Sequence, residues 1–265
     1  LDNPLSGSVV DLCPVGALTH RKWRFNTRIW YTKQTHTICT GCSTGCNVKV
    51  AERDGQVVLV KGRRNDAVNK EWLCDDGRYG FNQHLPQNRI LTPYVNTDTG
   101  REKTDVERVL KALSKQVKTL TVILSPHLLL EEYYLLKQFL VRVGSSVRTV
   151  MAYRTRTLSD VEKILVSPDR AGNFRGAQVA GLIGSNPEQS YEEMLGKIRR
   201  KEIDNVLILG DRAFCPDDVD AELLEGIKAA ALSVGLFTDA ASMLSGAVSM
   251  VVPGRSLLEQ SGLLV

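Results

Sequence analysis

The 265-residue sequence lacks long apolar runs, an export signal and internal repeats. No uninterrupted apolar run approaches the ~18 residues that a membrane-spanning helix needs, which excludes such a helix. No basic segment leads into an apolar one, so a secretory signal is also missing. A glycine-rich fingerprint that would cradle a nucleotide's phosphates at a strand–helix junction is absent too. Without an export signal, we expect a reducing, cytoplasmic compartment in which thiols stay free.

The composition is that of an ordinary globular protein. Hydrophobic residues make up 43% and charged residues 24% of the chain, which excludes collagen, coiled coils, disorder and disulfide-framework miniproteins. The net charge is only +4, with 34 basic and 30 acidic residues. Because these charges largely cancel, nucleic-acid binding is not expected.

The ends of the sequence suggest a piece of something larger. The chain opens on Leu1 rather than on methionine. It closes on an apolar stretch, residues 262–265, with no helix stop signal and no polar tail. We therefore expect an internal portion of a longer subunit.

Three regions can be separated along the chain: residues 1–30, 31–92 and 93–265. The middle region carries a cysteine cluster and a hairpin signal, because Asp54-Gly55 separates two valine-rich runs, Asn47–Glu52 and Gln56–Lys61. The third region alternates between strand and helix patterns. Its predicted strands are Leu120–Leu124, Val147–Ala152, Asn205–Leu209 and Ala247–Val252, and its predicted helices include Tyr191–Lys201 and Ala221–Val234. This alternation predicts an α/β fold with a parallel sheet.

Six cysteines are present, and four of them form a ligand pattern. Three lie on one short loop, C-x2-C-x3-C, and the fourth returns after the hairpin: Cys39, Cys42, Cys46 and Cys74. Four thiolates satisfy a 4Fe-4S cluster, which needs one per iron, and glycines beside them let the backbone approach closely. Four cysteines also satisfy tetrahedral zinc, although zinc sites more often show two paired knuckles. A disulfide framework is the weakest of the three interpretations.

The cysteine segments resemble a known family. Ile38–Asn47 (ICTGCSTGCN) and Trp72–Phe81 (WLCDDGRYGF) resemble the cluster-binding domain of the molybdopterin oxidoreductase superfamily. More narrowly, they are similar to the large iron–sulfur subunits of NADH-quinone oxidoreductase, respiratory complex I. The segment Val10–Thr19, which contains Cys13-Pro14, supports this resemblance. In that family such a cysteine is the last ligand of a separate tetranuclear cluster, so the resemblance implies a partial second site whose other ligands precede Leu1.

The resemblance also implies the fold of each region. Residues 1–30 would be the tail end of an upstream ferredoxin-like iron–sulfur domain. Residues 31–92 would be a small β-rich 4Fe-4S domain. Residues 93–265 would be an incomplete parallel α/β domain of the molybdopterin-oxidoreductase type, serving as a scaffold.

Two departures from the family's enzymes argue against a substrate-converting site. The enzymes typically carry a lysine directly after the fourth cysteine, where this chain has Asp75. Formate dehydrogenases ligate their metal with cysteine or selenocysteine, whereas no cysteine lies between Cys74 and Cys215. We therefore expect no catalytic residue in this chain and no molybdopterin. Cys215 is predicted to be a buried or half-buried thiol that is not a metal ligand. His36 is predicted to lie either at the surface or next to the ligand cysteines without binding the metal itself.

The resulting expectation is an electron-transfer subunit fragment of an NADH-quinone oxidoreductase, relaying electrons from NADH towards quinone. Its partners would be other subunits of a multi-subunit redox complex. It would be peripheral to the cytoplasmic face of the membrane through them, without a span of its own. Two alternatives stay open: a molybdenum or tungsten pterin-dependent oxidoreductase such as a formate dehydrogenase, and a zinc-stabilised noncatalytic interaction module.

Overall fold

The computed structural model describes residues 3–21, 23–81, 88–115, 118–143 and 146–265. The chain divides into two compact units. The first unit is Leu1–Leu85 with Thr155–Gly172, and the second is Pro86–Arg154 with Asn173–Val265. The three-region division at residues 30 and 92 stays a prediction. No pattern in the sequence indicates that residues 155–172 leave the α/β region to join the first unit.

The first unit is built on a three-stranded antiparallel sheet in the order β1-β2-β3. Its elements are α1 (Ser8–Leu12), β1 (Lys33–Ile38), β2 (Asn47–Arg53), β3 (Gln56–Gly62), α2 (Asp75–Tyr79) and 3-10 turns at Ile29–Tyr31 and Glu162–Ile164. The predicted hairpin is present as β2 and β3. Asp54 and Gly55 at its turn have φ of 52° and 76°, the left-handed backbone that a two-residue hairpin turn requires.

The second unit is built on a mixed sheet. Among the described residues its strands are β4 (Tyr94–Thr97), β5 (Gly100–Lys103), β6 (Thr119–Leu124), β7 (Ser146–Met151), β8 (Asn205–Leu209), β9 (Leu232–Phe237) and β10 (Met250–Pro253), in the order β5-β4-β10-β9-β8-β6-β7. The five strands from β10 to β7 are parallel, and the hairpin β4-β5 adds antiparallel at one edge.

Helices cover both faces of this sheet: α3 (Val106–Lys115), α4 (Leu130–Val143), α5 (Phe174–Val179), α6 (Pro187–Arg199), α7 (Ala221–Ala229) and α8 (Met243–Ala247), with 3-10 turns at Pro216–Asp218 and Leu257–Glu259. Side chains of α6, α7 and α8 pack on one face, and side chains of α3, α4 and α5 pack on the other. Strand side chains alternate between the two cores, as with Ile208 and Leu209 on β8.

The α/β class, with a small antiparallel sheet and a parallel-rich sheet, is therefore confirmed. Two element predictions are wrong. The predicted helix Ala221–Val234 ends at Ala229, because the apolar run from Leu232 forms the buried strand β9. The predicted strand Ala247–Val252 begins only at Met250, after helix α8. No helix in the described ranges combines the length and the apolar character needed to cross a bilayer.

Candidate metal centre

The four predicted ligand cysteines line one small pocket in the first unit. Cys39 directly follows β1 and Cys46 directly precedes β2, and the Cys39 N–H donates to the Cys46 carbonyl at 2.7 Å, which closes the loop between them. Cys74 is the N-cap of α2. Cys42, Cys46 and Cys74 are buried, and Cys39 is half-buried. The fold therefore gathers residues from two distant segments into one group.

Glycines let the backbone approach the sulfurs. The Gly41 N–H donates to Cys39 Sγ at 3.5 Å, and the Gly77 N–H donates to Cys74 Sγ at 3.3 Å. A Cβ atom on Gly77 would lie only 3.1 Å from Cys39 Sγ. Amide donors aimed at the sulfurs are what an iron–sulfur cluster needs from its surroundings.

One wall of the pocket comes from residues 155–172, which the sequence patterns did not connect with the cysteines. Leu165, Val166 and Arg170 line the pocket beside the thiols. Two hydroxyls of the cysteine loop fix this segment, since Thr44 Oγ1 donates to the Leu165 carbonyl at 2.9 Å and Ser43 Oγ donates to Asp169 at 2.5 Å. This part of the sequence contains the apolar stretch Ile164–Val166, followed by Pro168 and charged residues, and nothing in it indicates a partner.

Burial makes the thiols poor acids. It raises the pKa of Cys39 to about 11 and that of Cys46 to about 12, and it also raises the pKa of Cys74. Arg170, which forms an ion pair with Asp76 at 2.8 Å, opposes this pKa shift at Cys39 and Cys74. Burial therefore makes Cys39, Cys46 and Cys74 harder to deprotonate, and a positively charged metal centre that binds them must displace their protons.

Asp75 forms hydrogen bonds with the segment that precedes α1. Its carboxylate accepts hydrogen bonds from the Gly7 N–H at 2.8 Å and from Ser6 Oγ at 2.6 Å. Its own N–H donates to the Pro4 carbonyl at 2.7 Å. The residue that stands where the family's enzymes have lysine thus holds the segment that leads into α1.

Cys13 and the two remaining candidates lie outside the pocket. Cys13 follows α1, and backbone N–H groups of the next turn, that of Leu18 foremost, lower the pKa of its thiol. His36 is exposed on β1. Cys215 is half-buried in the second unit, where burial raises its pKa.

The donor set matches in number what a four-iron cluster requires. The four thiols line one shared pocket, and a tetranuclear cluster takes one thiolate per iron. Within the described part of the chain, no three His, Cys, Asp or Glu side chains form a preassembled site for a single metal ion.

Comparison with known proteins points in the same direction. Residues 32–84 match the molybdopterin oxidoreductase Fe4S4 domain. The G subunit of the NADH-quinone oxidoreductase of Rickettsia bellii is 27% identical over 194 residues, which are 71% of this chain and 28% of the relative. The resemblance seen in the sequence is confirmed.

Two further relatives carry related names. Subunit 3 of the Thermus thermophilus NADH-quinone oxidoreductase is 35% identical over 118 residues, 44% of this chain and 15% of the relative. The mitochondrial 78 kDa subunit of the Neurospora crassa NADH-ubiquinone oxidoreductase is 28% identical over 221 residues, 79% of this chain and 30% of the relative. The chain thus spans less than a third of the length of the curated relatives described here.

Proposed function

We propose that this chain carries a 4Fe-4S cluster on Cys39, Cys42, Cys46 and Cys74 and belongs to the electron-transfer part of an NADH-quinone oxidoreductase. There it would relay electrons from NADH towards quinone, together with other subunits of the complex. The observation that carries the proposal is the convergence of the four thiols on one pocket inside the segment that matches an Fe4S4 domain.

The chain's own residues have distinct tasks at this centre. A bound cluster supplies one-electron chemistry. The four cysteines hold it, and Leu165 and Val166 keep water away from the pocket. The Gly41 and Gly77 N–H groups stabilise negative charge on two of the sulfurs, and Arg170 contributes a positive charge at the edge. The N–H groups and Arg170 favour the reduced, more negative state of the centre.

Cys13 is proposed as the last ligand of a second cluster, with its other ligands outside this chain. Three contacts that hold the Cys13 segment support this role. Asp75 binds Ser6 and Gly7 before α1, and Arg78 binds Asp11, two residues before the cysteine, at 2.5 Å. Backbone N–H groups gathered at the thiol also suit a metal-bound thiolate. We further propose attachment to the cytoplasmic face of a membrane through partner subunits.

The α/β unit is proposed to be a scaffold without a substrate or pterin site. In open parallel sheets, ligands bind at the carboxyl edge where neighbouring strands connect in opposite directions, here between β6 and β8. Ser125 and Gly210 directly follow these strands. A Cβ on Gly210 would lie 2.7 Å from Ser125 Cβ, so the two backbones leave little room there. Asp211 is occupied as well, accepting a hydrogen bond from the Thr238 N–H at 2.9 Å.

Low-temperature EPR of the anaerobically purified, dithionite-reduced chain tests the proposal. We expect the signal of a tetranuclear cluster, lost in Cys42→Ala and retained in Cys215→Ala, which removes a thiol outside the pocket. Iron and acid-labile sulfide should be present in equal amounts. A colourless protein with one zinc would refute the cluster and favour the zinc module, and stoichiometric molybdenum or tungsten would favour the pterin enzyme.

A further inference from the structure

A second cleft in the first unit shares no lining residue with the cysteine pocket. It has a volume of about 500 Å³ and lies among α1, β2, β3 and the loop that follows β3. Five basic and three acidic side chains line it, together with Trp72. Its size is that of a small-molecule site.

Two lysines stand side by side on one wall. Lys49 on β2 and Lys61 on β3 are directly paired across the strands, so their side chains project from the same face of the sheet. Like charges in this position destabilise a sheet unless something neutralises them. Lys61 reaches Asp11 at 3.3 Å, but Lys49 has no ion pair within the part of the chain that the structure describes. The wall therefore retains an uncompensated positive charge.

Arg63 adds a buried donor to this charge. Its Nη2 donates to Asn47 Oδ1, which fixes the guanidinium. Its Nε is buried and has no hydrogen-bond partner among the described residues. A buried N–H without an acceptor is unfavourable, and Arg63 lines the cleft, so its fixed guanidinium adds positive charge to the wall.

Lys70 adds a further positive charge to the cleft, and its backbone conformation is constrained. Its φ is +48°, in the left-handed region that residues other than glycine seldom adopt. Two backbone hydrogen bonds with Asn65, at 2.8 Å and 2.7 Å, hold this conformation. Strained residues of this kind persist where the surrounding structure enforces them, and they are frequent in binding sites.

We propose that this cleft binds a phosphate-bearing small molecule with a planar ring, of the nucleotide class. Phosphate oxygens would pair with the Arg63 guanidinium, Lys49 and Lys70, since a guanidinium and two ammonium groups suit a multiply charged anion. Trp72, 40% exposed at the wall, offers an aromatic face for the ring. An acidic peptide is a poorer occupant, because a cleft of about 500 Å³ has the size of a small-molecule site.

Isothermal titration of the full chain with its cluster bound tests this, using pyrophosphate and ADP as ligands. The double variant Lys49→Gln/Lys70→Gln should bind both at least tenfold more weakly. Lys228→Gln, which removes one exposed positive charge in the second unit, should bind as the parent does. Trp72→Leu should weaken binding of ADP several-fold and leave binding of pyrophosphate unchanged. This difference distinguishes recognition of the ring from recognition of the phosphate. Iron content checks that each variant retains the cluster.

Three results would overturn the proposal. The first is no saturable binding of either ligand up to millimolar concentration. The second is an equal loss of affinity in Lys228→Gln, which would indicate a diffuse charge effect. The third is a hexaglutamate peptide that binds more tightly than ADP, which would make the cleft a protein-docking surface.

Discussion

Gly77 is a residue at which the backbone passes close to the thiols. A Cβ atom there would lie 2.9 Å from Leu73 Cδ1, 3.1 Å from Cys39 Sγ and 3.5 Å from Cys74 Sγ. Because Leu73 is fully buried, a methyl group must displace either that side chain or a ligand. We expect Gly77→Ala to reduce the iron and sulfide bound per chain and to lower the free energy of unfolding by about 1–3 kcal/mol.

Gly80→Ala is the matched control for this change. Among the described residues, a Cβ on Gly80 would meet no atom within 4 Å, and its φ of −69° suits alanine. Iron analysis and urea unfolding of the two variants should therefore differ. Equal cluster content in both would show that the close approach at Gly77 is not needed.

Arg170 sets the charge beside the thiols. It lines the cysteine pocket, and its side chain is 41% exposed in its ion pair with Asp76. Removing a positive charge makes addition of an electron less favourable, so Arg170→Gln should lower the midpoint potential of the cluster. Solvent screening limits the effect to roughly 20–40 mV, the equivalent of about 0.5–1 kcal/mol for one electron.

An EPR-monitored redox titration measures this shift. Lys163→Gln changes the charge of the same segment equally, but it removes an exposed ion pair with Asp160 outside the pocket. Its potential should match that of the parent chain. A shift to higher potential in Arg170→Gln would contradict the electrostatic argument.

At the scale of elements, α1 and α2 are joined by a buried charge. The Arg78 side chain on α2 is 0% exposed, and its Nη1 contacts Asp11 Oδ2 at 2.5 Å. Asp11 also contacts Lys61 at 3.3 Å. Breaking a buried ion pair by removing one partner is costly because the other charge stays buried and unpaired.

We therefore expect Asp11→Ala to lower the free energy of unfolding of the first unit by about 3–5 kcal/mol. Urea unfolding followed by cluster absorbance reports on this unit. Asp66→Ala removes a carboxylate from an exposed ion pair with Arg64 and should change stability by less than about 1 kcal/mol. Similar losses in the two variants would refute a special role for the buried pair.

Local patterns predicted the elements that have strong local signals. The hairpin β2-β3 has its Asp54-Gly55 turn, and β8 is an apolar run closed by Gly210. Strand β1 escaped prediction because all six of its residues are exposed, so it lacks the apolar alternation of a half-buried strand. The same holds for β5, whose four residues are exposed.

Some residues of the candidate site could be predicted from the sequence and others could not, for the same reason. The four thiols were predictable because their spacing is a local chemical pattern. The wall formed by Leu165, Val166 and Arg170 was not, because its partners lie far away in the sequence. Only tertiary packing reveals contacts such as that between Thr44 and Leu165.

At the scale of the whole molecule, the two units differ in their hydrophobic cores. Among the described residues, the buried clusters of the first unit contain four and three members, and Cys42, Cys46 and Cys74 are among these seven. Those of the second unit contain 21 and 15. We expect a core this small to depend on the proposed metal centre, whereas the α/β cores are large enough to fold without one.

Removing the cluster should therefore loosen the first unit alone. We expect iron chelation to raise amide hydrogen exchange in β1–β3 and in residues 155–172 by at least tenfold, while β6, β8 and β9 stay protected. Mass spectrometry of the chain before and after chelation measures this. Equal deprotection of the parallel strands would show that the two units unfold together.

The position of residues 155–172 in the sequence also has a consequence for biosynthesis. Arg170 follows its partner Asp76 by 94 residues, so a ribosome that has released all four cysteines has yet to make the segment that covers them. A cluster inserted at that stage would face dioxygen and water, because Leu165 and Val166 do not yet exist. Cluster insertion must then either follow synthesis of residues 155–172, which come after strands β6 and β7, or be protected by assembly factors until those residues have been made.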